Sequence, residues 1–418
     1  MTKRLILAFV FLSWHLVACS NGDSGISSGL PDKPSAEEDS PGTETISEEM
    51  RVKITGEDLY ISAKLDAKTD ILYWFKKCMF NELFTFYRVG TIDNNMPAPA
   101  TLPDASPTSL LNLAYSDNIG PFNITGYGWC GGNHPYLDEV TQTARNIGYR
   151  IYIDGKEIKT DLSTLTKEIK IEVINEIMNP SKADTSSGKT LLNEILCIET
   201  VNYSIYRNNI QVLVTHEFQN ESPVTVQMYY GMQSMFDKET HTLTANGKYV
   251  DWTVQKDVST FTKKEYPSFR RFIEKSANVY QSSYLFADGL GNHEEISDDD
   301  IIFIGNSSNK TYHKIIADRE HKKGDIIHWS GVYTWFKSPV SDDDDLLCYE
   351  GVIDNKKVLF IDCKKSVDRT IQLPVDYTKK SFTIIEKSKS ITITGNKVTA
   401  KGLRIVSDGS GSCVITFD

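Results

Sequence analysis

The sequence predicts a mainly β protein whose body is a large antiparallel β-sandwich. Three observations favour this class: aromatic and β-branched residues recur in short alternating runs, turn residues separate the runs, and long helical periodicity is nearly absent. The chain has 418 residues, enough for one large or two ordinary domains. We predict a large β-sandwich domain over residues 50–338 and a small C-terminal β domain, a candidate second sandwich, over residues 339–418.

The alternation of apolar and polar residues places individual strands. Residues 149–153 alternate in this way and are followed by Asp154 and Gly155, the strongest short signal for a hairpin. Residues 209–218 also alternate, and we expect residues 224–232 to form the second strand of that hairpin.

A third run, residues 327–336, is apolar on both of its faces. One face carries Trp329, Tyr333 and Trp335. A strand that is apolar on both sides belongs between stacked sheets, and a carbohydrate-stacking column is the alternative for the three aromatic residues. One helix is expected over residues 268–277, where apolar residues follow helical spacing.

The N-terminus has the features of a secretory signal. Lys3 and Arg4 precede a short apolar run, and Leu16-Val17-Ala18-Cys19 follows it. This stretch resembles the lipobox of bacterial lipoproteins. The resemblance implies that residues 1–18 are a signal peptide and that Cys19 becomes the lipidated first residue. The residue after Cys19 is serine and not aspartate, which favours the outer membrane and leaves the leaflet open.

Residues 20–49 are rich in Ser, Gly, Pro and acid, with eight acidic residues against Lys33 alone. Such a segment buries too little apolar surface to fold, so residues 19–49 are predicted to be a lipidated, disordered tether. The whole chain carries a formal net charge of −11 and has no basic stripe. Nucleic acid is therefore not an expected partner, and membrane attachment would occur through the lipid.

Two stretches resemble the galactose mutarotase-like supersandwich of sugar epimerases and polysaccharide-degrading enzymes. They are "DLYISAKLDAKTDILYWF" (residues 58–75) and "QVLVTHEFQNESPVTVQMYYGM" (residues 211–232). The resemblance implies a supersandwich-like body that acts on or binds sugar. Residues 116–136 are also similar to uncharacterised secreted bacterial proteins, which supplies no function.

The segment "GYGWCGGNHPY" (residues 126–136) is the leading candidate for a site. Its glycines permit a sharply bent loop, and that loop can present aromatic and polar side chains together. A sugar needs an aromatic face and fixed polar groups. The predicted ligand-binding residues are Trp129, Asn133, His134, Tyr136 and Tyr229. The alternative is a structural corner that closes the sandwich. The glycines do not indicate a dinucleotide site, because no helix follows them.

Glu217 and His134 are the candidate catalytic residues. Glu217 alternates away from the apolar face that holds His216, and His216 is interpreted as a core histidine. The supersandwich resemblance implies a His and Glu pair for epimerase chemistry, with Glu217 as general base and His134 as its acid partner. Whether the chain catalyses any reaction is left open.

No metal site or cofactor is assigned. The spacing of His313, His321 and His328 does not match a zinc motif. Calcium binding at the acidic runs 298–300 and 342–345 is left open, with solvated turns as the alternative.

Cys348 and Cys363 are a candidate disulfide whose formation depends on one turn. A turn centred on Asn355 and Lys356 would place the two cysteines opposite each other in a hairpin. A turn centred on Asp354 and Asn355 would shift the register and separate them.

These features together predict a lipoprotein of the outer membrane that binds or processes carbohydrate at the cell envelope. If the protein is an enzyme, a sugar epimerase, a lyase or a glycoside-acting enzyme is expected. The alternative, from a different class, is a non-enzymatic structural or adhesive surface protein.

Overall fold

The computed structural model describes residues 46–100, 111–112, 116–117, 120–235, 241–243, 249–251, 259–261, 271–276, 278–286, 302–305 and 310–418. The strands of the first half are β1 (Met50–Thr55), β2 (Asp58–Asp66), β3 (Thr69–Cys78), β4 (Leu83–Asp93), β5 (Leu111–Asn112), β6 (Ser116–Asp117), β7 (Pro121–Ile124), β8 (Gly128–Gly131), β9 (Ala144–Ile153), β10 (Lys156–Ile158), β11 (Leu162–Thr166), β12 (Ile169–Met178), β13 (Ala183–Asp184), β14 (Leu191–Leu192), β15 (Ile195–Tyr206) and β16 (Asn209–Phe218).

The strands of the second half are β17 (Val224–Met235), β18 (His241–Leu243), β19 (Tyr249–Asp251), β20 (Ser259–Phe261), β21 (Arg271–Ser276), β22 (Val279–Leu285), β23 (Ile302–Gly305), β24 (Lys310–His321), β25 (Ile326–Phe336), β26 (Ser341–Asp342), β27 (Leu346–Ile353), β28 (Lys356–Cys363), β29 (Val367–Ile371), β30 (Phe382–Lys387), β31 (Ile391–Ile393), β32 (Leu403–Ser407) and β33 (Gly411–Phe417). Two short 3₁₀ helices are described, Pro180–Lys182 and Val375–Tyr377.

The described strands form antiparallel sheets, so the mainly β, sandwich-type fold predicted from the sequence is confirmed. Three sheets build the larger part: a six-stranded sheet in the order β11-β1-β2-β3-β4-β5, a ten-stranded sheet in the order β10-β9-β12-β15-β16-β25-β22-β21-β18-β19, and a seven-stranded sheet with the path β20-β23-β24-β17-β7-β8. Strand β6 pairs with β17 beside that path.

The ten-stranded sheet packs against both of the others. Phe75 of the six-stranded sheet meets Tyr203 of β15 edge-on at 5.3 Å between ring centroids. Phe122 of the seven-stranded sheet meets His216 of β16 edge-on at 4.9 Å. One continuous apolar core joins the inner faces of all three sheets. Burial of alternate apolar residues from facing sheets stabilises a sandwich of this kind.

The aromatic residues of β25 lie in this core. Trp329, Tyr333 and Trp335 are each 0% exposed. The interpretation of this run as a doubly buried strand is therefore confirmed, and the carbohydrate-stacking alternative for these three residues is wrong.

The last 80 residues form two further sheets with their own core. The orders are β26-β27-β28-β33-β30 and β29-β32-β31. Their inner residues make a separate apolar cluster, and a second cluster joins Phe360 and Tyr349 of this part to Phe336 and Tyr284 of the larger one. The proposed division into domains at residues 338 and 339 stays a prediction.

The hairpin expected at Asp154 and Gly155 is present. Both residues have positive φ, 47° and 78°, and β9 pairs with β10 across them. This is the backbone form that the Asp-Gly signal predicts, because glycine and aspartate tolerate the left-handed region best.

The helix expected over residues 268–277 is wrong for its described part. Arg271–Ser276 is strand β21, which pairs with β22 and β18 in the ten-stranded sheet. Residues 268–270 and 277 lie outside the described residues. Backbone pairing on both edges of this short segment outweighs a weak local preference for helix.

The hairpin expected between residues 209–218 and 224–232 is also wrong. Strand β16 pairs with β15 and β25, whereas β17 pairs with β24 and β7 in the facing sheet. The connection between β16 and β17 crosses from one layer to the other. Asn220 supports the crossing by donating to the carbonyls of Ser222, at 2.8 Å, and His321, at 3.1 Å.

The hairpin of β27 and β28 adopts the second of the two predicted registers. Asp354 and Asn355 have positive φ, 49° and 60°, so the turn is centred on them. Cys348 consequently lies opposite Ile361, and Cys363 lies opposite Leu346. The candidate disulfide between Cys348 and Cys363 is therefore not formed in this structure.

The described residues contain no helix that is long and apolar enough to cross a membrane. The predicted signal peptide, Cys19 and most of the predicted tether lie outside the described residues, as does the acidic run 298–300.

Candidate functional site

The glycine-rich loop lies at one edge of the seven-stranded sheet, where β8 pairs with β7. Gly128, Gly131 and Gly132 have φ values of 85°, 77° and 54°. Side chains with a Cβ rarely adopt this region, so these glycines bend the loop as the sequence predicts. Asn81, in the turn after β3, anchors the bend by donating from Nδ2 to the carbonyl of Gly132 at 2.7 Å and accepting from Thr143 N at 3.0 Å.

The side chains of Trp129, Tyr136 and Tyr230 form what we call the surface cluster. The Trp129 ring lies 6.2 Å from that of Tyr136 and 5.8 Å from that of Tyr230, with interplanar angles of 29° and 21°. His134 lies edge-on to Tyr136 at 5.8 Å. All four side chains are partly exposed. Because successive residues of a strand face opposite ways, Trp129 points away from the core that holds Cys130.

Asn133, the residue before His134, is 1% exposed. Its carbonyl accepts a hydrogen bond from Phe80 N at 3.4 Å. Neither its Nδ2 nor its Oδ1 has a hydrogen-bond partner within the described part of the chain. A buried amide without partners is uncommon and often marks a place where water or a ligand binds.

Asp138 fixes the segment that follows Tyr136. Its carboxylate accepts from Val140 N at 2.9 Å, Thr141 N at 2.6 Å and Thr141 Oγ1 at 2.8 Å. These bonds, with that from Val140 N–H first, lower the pKa of Asp138 to about 2. Asp138 is ionised at neutral pH, so it is not suited to the role of general acid.

Tyr229 does not belong to the site. It is 0% exposed, it stacks on Phe122 at 4.4 Å, and its hydroxyl accepts from Trp329 Nε1 at 2.8 Å. The prediction of Tyr229 as a ligand-binding residue is therefore wrong, since its ring and hydroxyl are both buried in the core. Tyr230, the next residue, faces outward and takes its place.

A row of polar side chains crosses four neighbouring strands behind the loop; three of them are buried and Asn146 is partly exposed. We call it the polar row. Asn146, Asn175, Glu199 and His216 are in direct register on β9, β12, β15 and β16. Asn146 Nδ2 donates to Asn175 Oδ1 at 2.9 Å, Asn175 Nδ2 donates to Glu199 Oε1 at 2.9 Å, and His216 Nε2 lies 2.9 Å from Glu199 Oε2.

The polar row confirms that His216 is a core histidine with a partner, since both His216 and Glu199 are 0% exposed. Glu199 and Asn175 are not among the site residues predicted from the sequence. Each occupies a position where its strand's alternation calls for an apolar residue, between Cys197 and Val201 and between Val173 and Ile177. That break in pattern was the available signal.

Glu217 and His134 are not brought together. Glu217 is exposed and points to the outer side of the ten-stranded sheet, because its neighbour His216 points inward to Phe122. His134 contacts the surface cluster on the outer side of the facing sheet. The core separates the two side chains, so the structure does not assemble the predicted acid and base pair.

The three histidines considered for a metal site also have different surroundings. His313 is 1% exposed, and burial lowers its pKa to about 3. His321 stacks on Phe218 at 4.3 Å, and His328 is exposed. Within the described ranges, no group of three or more His, Cys, Asp or Glu side chains is arranged to hold a metal ion.

The acidic run at 342–345 is paired with cations. Asp342 lies 2.9 Å from Lys364, Asp345 lies 2.9 Å from Lys365, and Asp343 lies 2.6 Å from Arg369. These contacts favour an ion-paired turn over a calcium loop, because the carboxylates already have counter-ions.

No family model and no curated protein matches the chain. Among solved structures, it is similar to the galactosidase domain of the alpha-galactosidase-sucrose kinase AgaSK, with a TM-score of 0.38, 10% identity and coverage of 67% of this chain and 41% of the other. The GH36 alpha-galactosidase AgaB from Geobacillus stearothermophilus gives a TM-score of 0.40, 8% identity and coverage of 69% and 41%.

A Glycoside Hydrolase Family 97 enzyme from Pseudoalteromonas sp. strain K8, in complex with Acarbose, gives a TM-score of 0.34, 7% identity and coverage of 70% and 37%. The chain thus spans about two fifths of the length of the structures it matches. Likeness at this level assigns no activity to the chain.

Proposed function

We propose that this protein binds carbohydrate and that the surface cluster is its contact surface. The observation that carries the proposal is the stack of Tyr136, Trp129 and Tyr230 on the outer face of the seven-stranded sheet, partly exposed and backed by a rigidly anchored loop. Aromatic faces bind the C–H surfaces of sugar rings, and nearby polar groups select hydroxyls.

Polar groups suited to hydroxyls are supplied by two successive residues of the loop. His134 contacts Tyr136, and the amide of Asn133 has no partner within the described chain. An amide offers two donors and an acceptor, so it can bind a hydroxyl directly or through one water. The loop is held in place by Asn81, so little ordering entropy is lost when a ligand binds.

The proposal is for binding and not for turnover. Glu217 and His134 lie on opposite outer faces, and a general acid and base must both reach the reacting atoms. An epimerase or lyase that uses this pair would require a different arrangement. Glu217→Gln is therefore expected to leave glycan binding unchanged.

We further propose that the protein is an outer-membrane lipoprotein attached through Cys19. Support comes from the lipobox-like sequence and the acidic segment that follows it. Labelling cells with a fatty-acid analogue should mark the parent chain, and Cys19→Ser should remove both the label and membrane association. Equal labelling of the two chains would contradict the anchor.

A glycan-array screen followed by calorimetric titration tests the binding proposal. Trp129→Ala and Tyr230→Ala should each lower the affinity for the glycan found on the array by roughly tenfold or more. Tyr127→Ala is the matched control. Tyr127 is a 54% exposed aromatic residue in the adjacent turn, and it stacks on none of the cluster rings.

A structural or adhesive surface protein is the second candidate. The anchoring of the loop by Asn81 and Phe80 favours it, since the same contacts would close the end of a sandwich. Under this alternative the array shows no selective glycan, and Trp129→Ala lowers the melting temperature strongly. Capture of a defined protein partner by the stable parent would support adhesion.

A further inference from the structure

A cavity of about 310 Å³ lies where the larger part of the molecule meets the C-terminal sheets. We call it the junction cavity. Its walls include the turn between β15 and β16, the segment after β25, and the hairpin of β27 and β28. Small-molecule sites are commonly clefts of about 300–1,000 Å³ between structural units. The volume suits a ligand the size of one sugar ring.

Arg207 lines this cavity and stands in a strained turn. Its φ is 48°, in the left-handed region that favours glycine. The backbone is held on both sides: Arg207 N donates to Met50 Sδ at 3.1 Å, and Arg207 O accepts from the Tyr73 hydroxyl at 3.0 Å. Non-glycine residues persist in this region where their surroundings fix them, and they are enriched at ligand sites.

The Arg207 guanidinium lacks a strong partner. Its Nε is buried and has no hydrogen-bond acceptor in the described chain, while Nη2 reaches only the Lys64 carbonyl at 3.5 Å. It forms no ion pair with a described carboxylate. A partly buried cation without a counter-ion is unfavourable, so the position favours an anionic ligand. The planar guanidinium matches a carboxylate with two parallel hydrogen bonds.

The other charged groups of the wall limit the ligand's charge. Lys337 is already paired with Asp66 at 3.1 Å and donates to Thr69 Oγ1 at 2.8 Å. Lys357 is largely exposed and lies 3.7 Å from Glu48. Glu350 accepts from the Tyr377 hydroxyl at 2.6 Å and places a carboxylate on the same wall. One cation without a described ion pair and one carboxylate among the lining residues favour an anion of single charge.

We propose that the junction cavity binds a hydroxylated monocarboxylate, the size of a single sugar acid, with its carboxylate on Arg207. Apolar residues of the wall, among them Leu65 and Pro374, would contact its carbon skeleton. The site is separate from the surface cluster and does not depend on it. Arg207 precedes β16, whereas Phe122, on the strand that pairs with β8, contacts His216 near the other end of β16, roughly 23 Å along the strand.

Calorimetric titration of the purified full chain tests the proposal, with D-galacturonate, D-galactose and inorganic phosphate as probes. We expect saturable binding of galacturonate that weakens with added salt, and at least tenfold weaker binding of galactose and of phosphate. Arg207→Gln should weaken the binding of galacturonate by roughly tenfold or more. The affinity of Arg207→Lys should lie between those of the parent and Arg207→Gln, because lysine keeps the charge and loses the planar fork. Arg150→Gln, at an exposed arginine paired with Glu172, is the matched control.

The proposal would be overturned if galactose or phosphate bound as tightly as galacturonate, or if no probe bound. If Arg207→Gln folds poorly, as its melting temperature would show, the selectivity of the parent chain and the Arg207→Lys titration still decide. Failure here is distinct from failure of the glycan proposal, because Trp129→Ala should leave galacturonate binding in this cavity unchanged.

Discussion

Two groups of three aromatic residues look alike in the sequence and differ in the structure. Trp329, Tyr333 and Trp335, which we call the interior column, are fully buried in β25. Trp129, Tyr136 and Tyr230, the surface cluster, are partly exposed. The polar atoms of the interior column all bond to protein: Trp329 Nε1 to the Tyr229 hydroxyl, the Tyr333 hydroxyl to the Gln233 carbonyl, and Trp335 Nε1 to Gln281 Oε1.

The difference in burial separates aromatic residues that stabilise the core from aromatic residues whose rings a ligand can reach. A ring whose faces and polar atom are both satisfied inside the protein has nothing left for a sugar. The two groups are close in the molecule, since Tyr230 precedes Gly231, and a Cβ on Gly231 would lie 2.9 Å from the Trp329 ring. Substitutions on either side of this boundary should therefore separate stability from binding.

The largest expected effect is on the interior column. Trp329→Ala should lower the free energy of unfolding by about 3–5 kcal/mol, because it opens a large cavity and removes the hydrogen bond from Trp329 Nε1 to the Tyr229 hydroxyl. Urea denaturation measures this loss. A cost below about 1 kcal/mol would contradict the assignment of this residue to the core.

Loss of the buried carboxylate in the polar row should have the next largest effect. Glu199→Gln keeps the shape of the side chain but removes the charge facing His216, and we expect a cost of about 1–3 kcal/mol. Glycan affinity should not change, because the row lies behind the loop and not on its outer face. A matched loss of affinity and stability would show that the two regions are coupled.

Acid should weaken the core through His313. Burial lowers the pKa of His313 to about 3 in the folded state, against 6.5 for the ordinary group. The unfolded chain takes up a proton below about pH 6.5 while the folded chain does not. The contribution of neutral His313 to the free energy of unfolding is therefore full above that pH, and it falls as the pH drops toward 3.

Protonation of His313 in the unfolded chain should lower the free energy of unfolding by about 2 kcal/mol between pH 7 and pH 5. Denaturation curves of the parent and of His313→Asn at both pH values isolate this contribution, because the variant should show the shallower pH dependence. The same slope in both chains would rule out His313 as the source.

The smallest expected effect concerns the loop itself. Asp138 is ionised above its pKa of about 2, and its carboxylate holds Val140 and Thr141. Its lowered pKa stabilises the folded loop above the ordinary pKa of about 3.8, and this stabilisation is lost as the pH falls through 2. Asp138→Ala should speed hydrogen exchange at these two amides without a measurable change in melting temperature. Unchanged exchange would show that the carboxylate does not order the loop.

Features set by a few adjacent residues could be predicted from the sequence. The Asp154 and Gly155 hairpin, the doubly buried β25 and the bends at the loop glycines are all present. Each depends on local backbone preference or on alternation within one strand. The juxtaposition of Trp129, His134 and Tyr136 also follows, because they lie on one short loop.

Features set by pairing between distant strands could not be predicted in this way. Tyr230, and not Tyr229, joins the cluster because β17 pairs in the seven-stranded sheet and not with β16. The polar row needs the registers of four strands, and only its break in alternation is visible in one strand. The junction cavity gathers Arg207 and Glu350 from positions 143 residues apart, and a single arginine in a turn carries no sign of that.

The most direct test of the central claim is a calorimetric titration of the array-selected glycan against the parent, Trp129→Ala and Tyr127→Ala. The account predicts that Trp129→Ala loses roughly tenfold or more in affinity while its free energy of unfolding changes by about 1 kcal/mol or less, and that Tyr127→Ala binds like the parent. Unchanged affinity in Trp129→Ala, or an array without any selective glycan, would contradict the assignment of the surface cluster as a carbohydrate contact.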